Sequence, residues 1–157
     1  MKLPDLSLLD LPTGPLAYRR GGEGPPLLLI HGWGASSRYW LGAYAALAGA
    51  HDVIALDLPG CGASPPPRGP ATLALAAAAV RAAIEALGLG RVAVGGHSLG
   101  ASVALLLADS SPERVERLAL VSLGLPRSAA EAALLAGLHA QLRAGAALWS
   151  PWLALWS

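Results

Sequence analysis

Residues 92 to 102 read VAVGGHSLGAS, Val92 to Ser102. Three apolar residues stop at two glycines, a serine follows in the frame G-H-S-L-G, and an alanine- and leucine-rich stretch begins. The pattern is that of a short buried strand, a tight turn and a helix. A serine on such a turn is lifted above the end of the strand. Gly96 and Gly100 on either side let backbone pass close by without side-chain collision. The first N–H groups of the helix behind it lack intrahelical acceptors and face a developing negative charge. The spacing G-x-S-x-G in this context makes Ser98 a candidate nucleophile. The competing reading is a glycine-rich strand-to-helix turn with an incidental serine.

Outward from this point the chain alternates. Leu27 to Ile30 and Val53 to Leu56 are short, continuous apolar runs, as strands covered on both faces would be. Arg117 to Leu123 reads as a further buried strand. Helices are expected from about Tyr39 to Leu47, from Thr72 to about Leu87, and from the Ser98 turn to about Asp109. In the second of these, Leu73, Val80, Ile84 and Leu87 fall on one helical face. Two short strands around Pro12-Thr13-Gly14-Pro15 precede the series. This order predicts an α/β fold, a mostly parallel sheet with helices on both faces. Residues 1–127 are expected to form this core. The tryptophan-bearing stretch 128–157 is expected to begin a helical lid.

Composition excludes some classes. The 157 residues carry a net charge of +1 with no run of like charges, which argues against nucleic-acid partners. The single cysteine, Cys61, cannot form an internal disulfide and fits a reducing compartment, so a cytoplasmic location is expected. The N-terminal sequence MKLPDLSLLDLPTGP does not read as a signal peptide. No uncharged apolar run is long enough to span a bilayer, so no stable membrane insertion is expected. No cofactor or metal site is expected.

Two further motifs sharpen the picture. LLLIHGWG, residues 27 to 34, ends a strand in His-Gly. DLPGCGAS, residues 57 to 64, is an Asp-x-Pro-Gly-x-Gly-x-Ser loop. With VAVGGHSLGAS and the following SPERVERLALVS, residues 111 to 122, the chain from about Leu16 to Leu125 resembles the α/β-hydrolase family. The resemblance implies a serine hydrolase with Ser98 as nucleophile. It also implies an oxyanion hole made by the backbone N–H groups of Trp33 and Leu99. It assigns His31 to loop architecture. Asp57 precedes Ser98, whereas the family's catalytic acid follows it, so Asp57 reads as a structural cap of backbone N–H groups. Cys61 stands at the motif's variable position as a bystander, and His97 lines the pocket.

The His-Gly-Trp-Gly version of the loop is similar to that of carboxylesterases acting on pimeloyl-carrier methyl esters. An apolar acyl ester is therefore the implied small-molecule substrate. Serine instead of aspartate at position 98 argues against the family's epoxide hydrolase and dehalogenase branches.

A serine hydroxyl needs a base, which this family supplies as histidine oriented by an acid, both after later strands. The sequence after Ser98 offers Asp109, Glu113, Glu116, Glu131 and His139. Asp109, Glu113 and Glu116 fall at the far end of the helix that Ser98 opens. His139 reads as an outer-face residue of a lid helix. The expectation is that the catalytic acid and histidine are missing and that the chain is the N-terminal part of a longer hydrolase. The strand at Arg117 to Leu123 would then lie at an exposed apolar edge. The alternatives are a non-catalytic fragment or binding module, and a membrane-surface protein acting through the C-terminal tryptophans.

Overall fold

The structure, a computed structural model, describes residues 4–67, 69–124 and 128–130. One compact unit spans Met1–Leu123 and a second spans Gly124–Ser157. Apart from residues 124 and 128–130, the second unit, with the lid expectation and His139, lies outside the described residues.

Six strands form one sheet in the order β1-β2-β4-β3-β5-β6. They are β1 (Leu6–Leu9), β2 (Leu16–Gly21), β3 (Pro26–Ile30), β4 (Asp52–Leu56), β5 (Val92–His97) and β6 (Val115–Val121). The β1–β2 and β2–β4 pairings are antiparallel, and β4, β3, β5 and β6 run parallel. Arg20 on β2 grips Asp52 on β4 with two-pronged geometry, Nε–Oδ1 at 3.0 Å and Nη2–Oδ2 at 2.7 Å.

Register explains which apolar residues go where. Leu28 sits opposite both Ile54 and Val94, and Ile30 opposite Leu56. All five belong to the main core, where they meet Ala79, Val80, Ala83 and Ile84 of α2 (Leu73–Ala86) and Val103, Ala104 and Leu107 of α3 (Leu99–Ser110). The alternate residues Leu29, Val53 and Ala55 point to the other face and pack with Tyr44 of α1 (Leu41–Leu47). A period of two thus divides each strand between two helical layers. Alanine dominates α2, and small side chains let the helix lie close to the sheet. Thr72 caps α2, its hydroxyl accepting from the Leu75 N–H at 3.1 Å.

Several expectations need correction. The helix placed from Tyr39 begins instead as a 3₁₀ turn over Ser37–Trp40, with the α-helix starting at Leu41. Leu73 is 43% exposed and does not share the buried face of Val80 and Ile84, because it occupies the first helical position. The strand placed at Arg117–Leu123 runs from Val115 to Val121 and is mostly exposed rather than buried. The reason is its position: among the described residues β6 pairs only with β5, so it forms the sheet's edge. Among the described residues its apolar side chains are left uncovered, with Val121 51% exposed. No described helix is long and apolar enough to cross a membrane.

Candidate active site

Because β3, β4 and β5 are parallel, the segments that follow them emerge at one edge of the sheet. That edge is where parallel α/β sheets gather ligand groups. It brings together the 31–36 loop, the 57–64 loop and the turn at Ser98.

Ser98 joins β5 to α3 with φ 52° and ψ −115°. A positive φ is costly for a residue with a Cβ, by about 1–3 kcal/mol. Ser98 is exposed, and its hydroxyl makes no capping bond to the helix it opens. The strain is held in place by backbone on both sides. The Ser98 N–H donates to the Val121 carbonyl of β6 at 2.9 Å, and the Ser98 carbonyl accepts from Ala101 N–H at 3.0 Å.

The flanking glycines are sterically required. A Cβ on Gly96 would stand 2.6 Å from the Gly100 carbonyl carbon and 2.7 Å from the Ala101 nitrogen. A Cβ on Gly100 would press on the Ile30 and His31 carbonyl oxygens. Gly100 is thus the point where α3 touches the end of β3.

Gly32 faces this turn directly. A Cβ there would lie 3.0 Å from His97 Nδ1 and 3.4 Å from Ser98 Cβ. The loop residue next in sequence, Trp33, is 67% exposed. Leu99 provides the first N–H of α3, a group with no intrahelical acceptor. The structure therefore gathers Ser98, Leu99, Gly96, Gly100, His97 and the loop carrying Trp33 at one place.

His31 is fully buried and both its ring nitrogens are engaged. Nε2 accepts from the Leu58 N–H at 3.0 Å, so the proton sits on Nδ1, 2.7 Å from the Gly32 carbonyl. Burial holds the imidazole below its ordinary pKa, against the opposing effects of the Gly32 carbonyl and the Asp57 charge. A neutral ring with no free nitrogen ties loops together and takes no proton from Ser98.

Asp57 is equally committed. Oδ1 accepts from Ser37 N–H at 2.5 Å and Oδ2 from Ala63 N–H at 2.9 Å. Gly62, at φ +54°, passes so close that a Cβ there would strike the Asp57 carboxylate. Ser64 completes the loop: its hydroxyl donates to the Asp57 carbonyl at 2.6 Å and accepts from Ala17 N–H at 2.8 Å. The structural reading of Asp57 is what the geometry gives. Cys61 is partly buried, and burial with the nearby Asp57 charge pushes its thiol pKa up, which disfavours the reactive thiolate.

Of the other histidines, His51 precedes β4 and so sits at the opposite edge of the sheet from Ser98. The His97 ring stacks on Tyr39, with centroids 4.8 Å apart and planes 20° off parallel. Among the described residues its buried Nδ1 has no hydrogen-bond partner. Sequence reasoning missed Tyr39, since nothing local signals that two distant residues will stack.

A family model described as the alpha/beta hydrolase fold matches residues 25–143. The chain belongs to that family. It is 45% identical over 108 residues to an uncharacterized protein of Mycobacterium tuberculosis, the match covering 69% of this chain and 32% of that protein. It is 39% identical over 106 residues to a soluble epoxide hydrolase of a Corynebacterium, covering 68% of this chain and 37% of that one. A hydrolase structure from Pseudomonas aeruginosa superposes with a TM-score of 0.71 at 38% identity, over 74% of this chain and 45% of that chain. An N-acyl homoserine lactonase superposes at 0.70 with 30% identity, over 74% and 44%. The chain thus spans about a third of the length of these curated relatives.

Proposed function

We propose that Ser98 is the nucleophile of a serine hydrolase acting on carboxylic ester-type bonds. The observation that carries this reading is the strained backbone of Ser98 between Gly96 and Gly100, neither of which has room for a Cβ. In the reaction, the Ser98 oxygen bonds to the carbonyl carbon of the ester as its proton passes to a base. The carbonyl oxygen becomes an oxyanion, held by the N–H groups of Trp33 and Leu99. Collapse expels the alcohol and leaves an acyl-enzyme, which water hydrolyses. Removing one such donor costs typically about 2.7–4 kcal/mol in other enzymes.

The chemistry of the nucleophile favours esters over epoxides despite the epoxide hydrolase relative. A serine oxygen that opened an epoxide would leave an alkyl ether, which water does not cleave. A carboxylate nucleophile would leave a hydrolysable ester. The similarity to a lactonase structure is in keeping with acyl chemistry, since a lactone is a cyclic ester. The exposed Trp33, next in sequence to the Gly32 that faces Ser98, fits an apolar acyl group. In this reading the base comes from outside the described residues, and the single cysteine favours a cytoplasmic setting.

A second reading is a hydrolase scaffold without turnover. It is favoured by the described histidines: His31 has both nitrogens engaged, His51 lies at the far edge, and His97 is stacked on Tyr39. A fluorophosphonate probe and a p-nitrophenyl butyrate assay separate the two. Labelling and turnover that disappear in Ser98→Ala support the hydrolase. A folded chain that neither labels nor turns over supports the scaffold.

A further inference from the structure

We propose that the Tyr39–His97 ring stack is a latch that holds the 31–40 loop against the Ser98 turn, which makes His97 and Tyr39 positioning residues for the oxyanion hole. The proposal rests on the assignment of Ser98, Trp33 and Leu99 above and adds what fixes their separation.

The two oxyanion donors belong to different elements. Leu99 opens α3, whereas Trp33 rides on a loop with both itself and Gly34 exposed. The distal side of that loop is anchored: Ser37 N–H is held by Asp57, the 3₁₀ turn begins there, and Tyr39 N–H donates to Ser36 at 2.9 Å. These bonds fix the loop to the 57–64 segment, not to the nucleophile turn. Near its start the loop meets that turn through Gly32 and the His31 carbonyl; the ring of His97, the residue just before Ser98, adds a tie that reaches the distal side as well. One side of that ring meets Tyr39, at 4.8 Å between centroids. Its Nδ1 lies against Gly32, close enough that a Cβ there would approach to 3.0 Å. His97 therefore sits between the two ends of the loop segment that carries Trp33.

The missing hydrogen bond on Nδ1 supports a packing role. A buried ring nitrogen without a partner among the described residues is retained at a cost, and the ring stacks on Tyr39 and lies against the Gly32 backbone. Tyr39 also meets Trp40 edge-on, at 5.0 Å and 86°, which steadies its ring from the other direction.

The test has two arms. Amide hydrogen exchange at Ala35, Ser37 and Tyr39 reads the loop with no ligand present. Tyr39→Ala and His97→Ala are expected to speed exchange there by about 3- to 10-fold, the range of one aromatic pair, and Tyr39→Phe to restore the slow rate. Butylboronic acid reads the oxyanion hole at equilibrium. Its boron bonds the Ser98 oxygen, the hydroxyl proton leaves to solvent, and the anionic tetrahedral adduct places an oxygen between the two donors. Its affinity is expected to fall by about the same factor in the two alanine variants and to return in Tyr39→Phe, while the melting midpoint changes little.

Unchanged exchange in both alanine variants overturns the latch whatever Ser98 does. Faster exchange with unchanged boronate affinity overturns the positioning role and leaves only a structural contact. Boronate binding that persists in Ser98→Ala refutes the nucleophile assignment instead, and the exchange arm still decides the latch.

Discussion

Replacing Asp57 by asparagine exchanges one carboxylate oxygen for an NH₂ group and should cost much of the fold's stability. The carboxylate accepts from two backbone N–H groups, one on each oxygen, at 2.5 Å from Ser37 and 2.9 Å from Ala63. Asparagine has one oxygen and one NH₂. Whichever way the amide turns, one backbone N–H then faces another donor. Leaving such a group unsatisfied costs about 1–3 kcal/mol. The bond that survives loses its charge, and charge-assisted bonds are roughly twice as strong as neutral ones. The expected total is about 2–4 kcal/mol, against a typical domain stability of about 5–15 kcal/mol. With a urea dependence of about 2 kcal/mol per molar, the unfolding midpoint should drop by about 1–2 M. Far-UV circular dichroism across a urea series measures it. An Asp57→Asn protein within 0.5 M of wild type would refute the argument, because it would mean that those two N–H groups find other partners at no cost.

Four further outcomes follow from the same geometry. Gly100→Ala and Gly96→Ala should each lower stability by about 3 kcal/mol or more, since the new Cβ meets backbone that cannot move aside. Gly42→Ala, on a helix with open space around it, should gain about 0.5–1 kcal/mol, all read as melting midpoints. Ser98→Gly should melt about 2–4 °C higher by releasing the positive φ, while Ser98→Ala keeps the strain and does not. Stability should fall as pH drops below about 6.5. The folded His31 imidazole has a lowered pKa, so between the ordinary value and the folded one the unfolded chain binds the extra proton. Urea midpoints measured from pH 7.5 to 5 should show this slope in wild type and a flatter one in His31→Gln.

Much of the fold is legible locally because each parallel strand is a short apolar run ended by glycine or an Asp-Pro-Gly turn. Residues 27–30, 53–56 and 92–94 are found that way. The strand order is not: nothing near Val53 says that β4 will insert between β2 and β3. Apolarity alone also does not settle β6, where Leu118, Leu120 and Val121 read as buried but, among the described residues, pair on one side only, with Leu118 and Val121 exposed. Burial depends on what flanks a strand, and a strand's own residues do not carry that information. The β5 strand runs on through both glycines to His97, because Gly95 and Gly96 pair with Leu29 and Ile30. A breaker in local terms becomes a strand residue when its neighbour needs the space: a Cβ on Gly95 would lie 2.9 Å from Leu29 Cδ2. At the site, Ser98 and its glycines are visible in the sequence, while the stack of Tyr39 on His97 exists only through the fold.

The cross-ties between the 31–37 and 57–64 loops have a consequence for anyone recombining this scaffold. His31 Nε2 is satisfied by Leu58, and Asp57 is satisfied in part by Ser37. Each loop therefore stores part of its shape in the other. A chimera that imports one of them alone would carry half of a paired instruction, with a buried imidazole or carboxylate facing an unmatched backbone. The two segments make a single unit of exchange, inherited or grafted together, even though an entire helix and strand separate them in the chain.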